Sequence, residues 1–75
     1  MKWTDAKTKP TFTGDEHKYL VWVHDEELRV EYCWDNLCYY EKGKWIFGND
    51  YFTSRPTKKN IYVVKYVLVA SPVIW

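Results

Sequence analysis

Residues 19–24 read Tyr19-Leu20-Val21-Trp22-Val23-His24, and this run decides the fold class. A short run of β-branched and aromatic residues, ended by the turn-forming Asp25-Glu26-Glu27, is typical of a β-strand. Because nearly every position is apolar, we expect both faces of the strand to be covered. The rest of the chain lacks the periodicity of an amphipathic helix, so the sequence predicts an all-β protein.

The next segment, residues 28–34, alternates between apolar and polar positions. The alternation predicts a half-buried strand whose apolar face carries Leu28, Val30, Tyr32 and Trp34. Asp35-Asn36 fits a two-residue hairpin turn, because both residue types tolerate the left-handed conformation. The resulting register places three pairs opposite one another: Trp34 with Leu37, Cys33 with Cys38, and Tyr32 with Tyr39.

Two more strands follow in the sequence. The turn Glu41-Lys42-Gly43-Lys44 leads into Trp45-Ile46-Phe47, and the last strand runs from Ile61 to Ala70. Strand alternation predicts that one face of this last strand carries Ile61, Val63, Lys65, Val67 and Val69. Lys65 is the only charged residue on this otherwise apolar face. The opposite face carries Tyr62, Val64, Tyr66 and Leu68.

The remaining segments contain few of the residue patterns that are typical of β-strands. Residues 1–14 read as an extended arm, and residues 48–60 read as one long loop. The sequence therefore predicts a single domain, residues 1–75, that folds as a small antiparallel meander of about five strands. The meander is expected to curl into a strongly twisted sheet or into a small barrel of the SH3 or OB type.

Composition favours a binding protein. Five Trp, seven Tyr and three Phe are more rings than so small a core needs, so we expect some of them at a binding surface. The net charge of +1 selects neither a polyanionic nor a polycationic partner. The first residues lack the apolar core of a signal peptide, and the apolar stretch 61–75 is too short and too interrupted to span a bilayer, so we expect a soluble cytoplasmic protein without membrane contact.

No pattern of catalytic or metal-binding residues is present in the sequence. Cys33 and Cys38, with His17 and His24 upstream, match no common zinc spacing, and we expect neither metal nor cofactor. The pairing of the two cysteines in the predicted hairpin leaves open whether they are free thiols or a disulfide. His24-Asp25 is interpreted as the solvated end of a strand, so we expect no enzyme.

The long loop is the candidate binding site. It mixes aromatic rings with cations, a combination that grips nucleotides and phosphate backbones and that also serves protein recognition. Its candidate binding residues, together with the ring that begins the preceding strand, are Tyr51, Phe52, Arg55, Lys58, Lys59 and Trp45.

Several motifs resemble a family of short uncharacterised domains of tailed bacteriophages and prophages. The matching segments are Trp3-Thr4 with Pro10, Tyr19-Leu20-Val21-Trp22-Val23, and Tyr39-Tyr40-Glu41-Lys42-Gly43-Lys44-Trp45. The family's closing T-H-W-M-P-L-P strand is not matched, because Lys65-Tyr66-Val67 and Ala70-Ser71-Pro72 stand in its place. The resemblance implies no catalytic residues. It implies a small accessory protein, made by a phage and acting in the cytoplasm of the infected bacterium.

Three functions follow as hypotheses. The first is a protein that binds and inhibits a host protein, commonly one of a defence system, by covering part of its surface. The second is sequestration of a nucleotide, such as a signalling nucleotide, and the third is binding of single-stranded nucleic acid, which the near-neutral charge disfavours. An unpaired edge on the strand 61–70 would also favour a homo-oligomer formed by strand addition.

Overall fold

The computed structural model describes residues 2–55 and 60–72. These residues form two antiparallel sheets, one of four strands in the order β1-β7-β2-β3 and one of three strands in the order β4-β5-β6. The strands are β1 Thr4–Asp5, β2 Lys18–Asp25, β3 Val30–Cys33, β4 Tyr39–Glu41, β5 Lys44–Phe47, β6 Asp50–Phe52 and β7 Ile61–Ala70. The predicted all-β class and antiparallel meander are confirmed.

The strand count differs from the predicted five because two segments expected to be irregular each contain a short strand. Thr4–Asp5 of the N-terminal arm pairs with β7, and Asp50–Phe52 of the predicted loop 48–60 pairs with β5. The sheets are joined by two single bridges, Tyr19 with Cys38 and Thr53 with Tyr62. They form two packed sheets and do not close into the small barrel that was the second alternative.

The pair β2–β7 is the centre of the four-stranded sheet. Along β2, side chains alternate strictly between buried and half-buried, and Tyr19, Val21 and Val23 point into the core. The expectation that both faces of β2 are covered was wrong, because Leu20 and Trp22 on the opposite face stay half-buried. The strand thus has one interior face and one face that reaches solvent.

A β-bulge in β7 changes which of its residues face the core. Trp22 is opposite Lys65 while Val23 is opposite Val63, so Val64 is an extra residue on β7. Such an insertion resets the alternation of side chains along the bulged strand. Val63 and Tyr66, predicted on opposite faces, are therefore both buried. Lys65, predicted beside Val63, lies beside Trp22 on the face that reaches solvent.

The predicted hairpin between residues 28–34 and 37–41 is not formed. β3 pairs with β2, and β4 pairs with β5, so the chain leaves one sheet after Trp34 and enters the other. The Trp34 ring packs against Phe47 and Phe52 of the second sheet. A flat hairpin would not make these contacts. This crossing separates the two cysteines: Cys33 is exposed on β3, and Cys38 is buried against Tyr19.

The apolar face predicted for the segment 28–34 is also only partly formed. Tyr32 and Trp34 pack against the core, but Leu28 is 68% exposed and Val30 is 45% exposed. Leu28 precedes β3, and Val30 begins it at the edge of the sheet, beyond the reach of the second sheet.

The second predicted hairpin is confirmed. Lys42 and Gly43, both with positive φ (51° and 80°), join β4 to β5, as a two-residue turn between twisted strands requires. The turn brings Glu41 opposite Lys44 and directs Trp45 inward, where it is fully buried.

Rings form the centre of the core. Trp45 contacts Tyr19, Tyr40 and Tyr66, with ring centroids 5.4, 4.7 and 4.8 Å away. Its indole nitrogen donates to Ser54 Oγ at 3.0 Å. The buried core residues are Tyr19, Val21, Val23, Cys38, Trp45, Phe52, Val63 and Tyr66.

Candidate binding surfaces

The structure distributes the predicted site residues over two environments. Trp45 and Phe52 are core residues, 0% and 5% exposed, and offer no surface to a ligand. Tyr51 is exposed, and the Lys44 ammonium lies 4.6 Å from the centre of its ring. Arg55 is exposed after β6, whereas Lys58 and Lys59 lie outside the described residues. Strand alternation along β6 separates the rings of Tyr51 and Phe52, so the two do not form one platform.

A different aromatic surface lies on the four-stranded sheet. We call it the outer face. Its cross-strand pairs are Leu20 with Val67, Trp22 with Lys65, and His24 with Tyr62, and Trp3 packs against Trp22 from the N-terminal arm. All seven side chains are half-buried. The inner side of the same strands packs on the second sheet, but on this side the indole and phenol rings reach solvent.

A lysine between two indoles occupies the middle of the outer face. Trp3 meets Trp22 edge to face at 5.8 Å, and Lys65 Nζ lies 5.6 Å and 4.8 Å from the centres of their respective rings. Cation–π attraction of this kind contributes about 0.5–1 kcal/mol at exposed sites. The bulge at Val64 creates this cluster, because without it Lys65 would point to the core.

The end of the outer face near the β2–β3 turn is acidic. His24 Nδ1 lies 3.0 Å from Glu31 Oε2, and the Tyr62 hydroxyl donates to Glu26 Oε1 at 3.3 Å. Desolvation, and then the charge of Glu26, raise the pKa of Tyr62, so the phenol remains a donor. Four carboxylates stand in residues 25–31 beside a single cation, Arg29, which leaves this end negative.

A second surface feature is positively charged. We call it the basic cleft. It has a volume of about 420 Å³ and lies between the N-terminal arm, the β4–β5 turn and the residues after β6. Its polar lining consists of Lys7, Lys9, Tyr40, Ser54 and Arg55, and includes no carboxylate. It therefore brings Arg55 together with Lys7 and Lys9, which are far from Arg55 in the sequence.

Hydrogen bonds from the core hold the N-terminal arm in place. The Tyr66 hydroxyl donates to the Thr8 carbonyl at 2.8 Å, and the Tyr19 hydroxyl donates to the Phe12 carbonyl at 2.8 Å. The amide of Ala6 donates to the Val64 carbonyl at 3.0 Å. The backbone that carries Lys7 and Lys9 is thus fixed on both sides, by contacts with β7 and by the bond from Tyr19 of β2.

Each of the two surfaces has a signal in the sequence. Lys65, the one charge in an otherwise apolar strand, marks a face in contact with solvent, and Trp22 stands between core positions of β2. Lys7 and Lys9 alternate along the N-terminal arm. The sequence does not reveal the bulge in β7 or the contacts of the N-terminal arm. These two features bring the residues to their neighbours.

Two further features of the described residues concern metal ligands and thiol chemistry. Residues 2–55 and 60–72 contain no group of three His, Cys, Asp or Glu side chains placed to hold a metal ion. Burial raises the pKa of the Cys38 thiol to about 12, so this cysteine is a core residue with little thiolate at neutral pH. In the same part of the chain, no helix has the length and apolar character needed to cross a membrane.

No protein-family model matches the chain, and no curated protein or solved structure matches it.

Proposed function

We propose that this chain is a non-catalytic binding protein that attaches to a partner protein through its outer face and inhibits the partner by covering part of its surface. The observation that carries the proposal is the set of aromatic contacts on the side of the four-stranded sheet that faces away from the second sheet: Trp3 with Trp22, and Tyr62 with His24. The phage origin, the bacterial cytoplasm as its place of action and a host defence protein as its target are parts of the proposal that depend on the sequence resemblance alone.

The residue types on the outer face are those that dominate protein interfaces. Trp and Tyr are enriched among the residues whose loss weakens protein complexes most. Half-buried rings present apolar area to a partner while their own packing limits the side-chain entropy lost on binding. Lys65 adds to this effect, because it contacts both indoles in the free protein.

Charge indicates the kind of partner surface. Glu26 and Glu31 border the aromatic cluster, and their end of the sheet carries a net negative charge. A partner with Arg or Lys side chains around an apolar centre would pair with this border and stack cations on the rings. We therefore propose a basic patch on the partner.

The predicted loop supports the nucleotide and nucleic-acid hypotheses less well than the outer face supports protein binding. Stacking of bases needs accessible rings, and Phe52 and Trp45 are buried. Tyr51 alone of the three rings is accessible. On the outer face, in contrast, three rings are accessible. Trp3 and Trp22 contact each other, and Tyr62 contacts His24.

The direct test is native mass spectrometry of tagged protein captured from a bacterial lysate, repeated with two variants. Trp22→Ala removes a ring from the centre of the outer face, and Tyr51→Ala removes an exposed ring from the other sheet as the matched control. We expect one partner protein at defined stoichiometry with the unmodified chain and with Tyr51→Ala, and its loss with Trp22→Ala. Retention of the partner by Trp22→Ala, or a mass increment of a few hundred daltons in place of a partner, would contradict the proposal.

A further inference from the structure

We infer that the basic cleft binds a small phosphate-bearing ligand of nucleotide size, at a site separate from the outer face. The inference starts from the convergence of Lys7, Lys9 and Arg55 on one cavity of about 420 Å³. Pockets for small organic ligands have volumes of about 300–1,000 Å³, so the cleft has room for a nucleotide.

Among the residues that the structure describes, no ion pair neutralises the three cations. The ion pairs among the described residues involve His24 with Glu26 and Glu31, and none includes Lys7, Lys9 or Arg55. The carboxylate next to the cleft, Asp5, accepts a hydrogen bond from the backbone amide of Lys7 at 2.8 Å, which directs it toward the main chain. Three unpaired cations around a concave surface create a positive potential that favours a multiply charged anion.

The cleft also holds groups that could orient such an anion. Ser54 Oγ accepts from the Trp45 indole nitrogen at 3.0 Å, which leaves the Ser54 proton free to be donated toward the cleft. Thr53 Oγ1 donates to the Arg55 carbonyl at 2.6 Å and fixes the backbone from which the guanidinium extends. An Arg guanidinium can donate two parallel hydrogen bonds to a phosphate.

Tyr40 gives the cleft an aromatic wall. Its ring is half-buried and contacts Trp45 at 4.7 Å, so the core determines its orientation. A ring beside three cations matches a ligand that carries both a phosphate group and a planar base. The cleft has one such ring, whereas a single-stranded nucleic acid is usually held by several rings along a groove.

Calorimetric titration with three probes tests the inference: adenosine triphosphate, pyrophosphate and adenosine. We expect adenosine triphosphate to bind at one site per chain, pyrophosphate to bind more weakly, and adenosine to show no binding. Arg55→Ala and the pair Lys7→Ala with Lys9→Ala should each weaken triphosphate binding about tenfold or more, since each removes charge-assisted hydrogen bonds.

Lys65→Ala is the matched control, because it removes one positive charge from the outer face and leaves the basic cleft intact. We expect it to bind the triphosphate with unchanged affinity, while its melting temperature and those of the cleft variants show that all are folded. Equal weakening in Lys65→Ala and Arg55→Ala would show an effect of net charge only and would overturn the inference, as would the absence of binding at millimolar triphosphate.

Competition with oligothymidylate separates the small ligand from nucleic acid. An oligonucleotide that displaces the triphosphate with an affinity that rises with its length would overturn the small-ligand assignment. The results of these titrations do not depend on the result of the partner capture described above, because Trp22 lies on the outer face and Arg55 lines the basic cleft.

Discussion

The two sides of β2 differ in burial, and we propose that one side serves folding and the other side binding. On the inner side, Tyr19, Val21 and Val23 are buried and contact the second sheet. On the outer side, Leu20 and Trp22 are half-buried, although they are as apolar as the inner residues. Because Leu20 and Trp22 differ from the inner residues in burial and not in apolar character, substitutions on the inner side should reduce stability, and substitutions on the outer side should reduce binding of the proposed partner.

The largest expected effect is the loss of stability when the core indole is removed. Trp45→Ala removes the ring that contacts Tyr19, Tyr40 and Tyr66. Deletion of a buried Trp side chain lowers the free energy of unfolding by about 3–5 kcal/mol. Since small domains have little stability to lose, we expect this variant to be largely unfolded at room temperature. Trp22→Ala should cost about 1–2 kcal/mol, because its ring is only half-buried.

Chemical denaturation of the two variants measures this difference. Equal losses of unfolding free energy in Trp45→Ala and Trp22→Ala would show that the two sides of the sheet do not differ in burial as described.

The two cysteines test the chain crossing at Asp35-Asn36. Cys33 is exposed and should react with a thiol reagent in the folded protein. The rise in the pKa of Cys38 from 9.0 to about 12 lowers its thiolate fraction about a thousandfold at neutral pH, and burial blocks access as well. Mass spectrometry after brief alkylation should find one modified residue, Cys33, and two after unfolding. Rapid modification of both would instead fit the hairpin predicted from the sequence.

Cys38 also makes stability depend on pH. The folded chain keeps the Cys38 proton up to a pH of about 12, while the unfolded chain loses it from about pH 9. Unfolding therefore releases a proton in this window, and the unfolding free energy should fall as the pH rises from 9 toward 12. Cys38→Ala should show a smaller fall over the same range in a pH series of denaturation curves. An equal slope in both proteins would mean that Cys38 is not the group responsible.

The smallest expected effect on stability comes from an arm contact. Tyr66→Phe removes the hydrogen bond to the Thr8 carbonyl and keeps the ring, so it should cost about 1 kcal/mol. Because that bond fixes the backbone between Lys7 and Lys9, it should also weaken triphosphate binding at the basic cleft. Tyr51→Phe, whose ring is exposed, is the control for removal of a hydroxyl group. If Tyr66→Phe changes neither stability nor binding, the arm is held by other contacts.

The features that the sequence predicted are those determined by neighbouring residues. The strand at residues 19–24, the turn at Lys42-Gly43 and the long strand Ile61–Ala70 all depend on local residue types, and all were found. The bulge at Val64 depends on which strand lies beside β7, which no local pattern of β7 reveals. One extra residue there moved Lys65 to the outer face.

The misplaced pairing of residues 37–41 has a similar cause. A turn at Asp35-Asn36 and a hairpin register are both compatible with the local sequence. The packing of Trp34 against Phe47 and Phe52, which are distant in sequence, instead places the chain in the second sheet. An unpaired edge of the strand 61–70 was the condition for a homo-oligomer; β2 pairs along one side of β7, β1 pairs with Lys65 and Tyr66 on the other side, and the homo-oligomer stays a prediction.

The candidate site was predicted only in part for the same reason. Arg55 was identified from its loop, and the structure places it at a cleft, but Lys7 and Lys9 arrive there through the pairing of β1 with β7. Trp45 and Phe52 were chosen as rings near cations, and the pairing of β5 with β6 buries both of them. Accessible rings were instead assembled on the outer face from the N-terminal arm, β2 and β7.

The central claim, that the outer face is the surface that binds a partner, is tested most directly by photo-crosslinking in bacterial cells, the proposed place of action. A photoreactive phenylalanine analogue placed at Val67, beside Leu20 on the outer face, is compared with the same analogue at Tyr51 on the other sheet. We predict one discrete crosslinked product from position 67, its loss when Trp22→Ala is added, and no product from position 51. A product from position 51 alone, or one from position 67 that persists with Trp22→Ala, would contradict the claim.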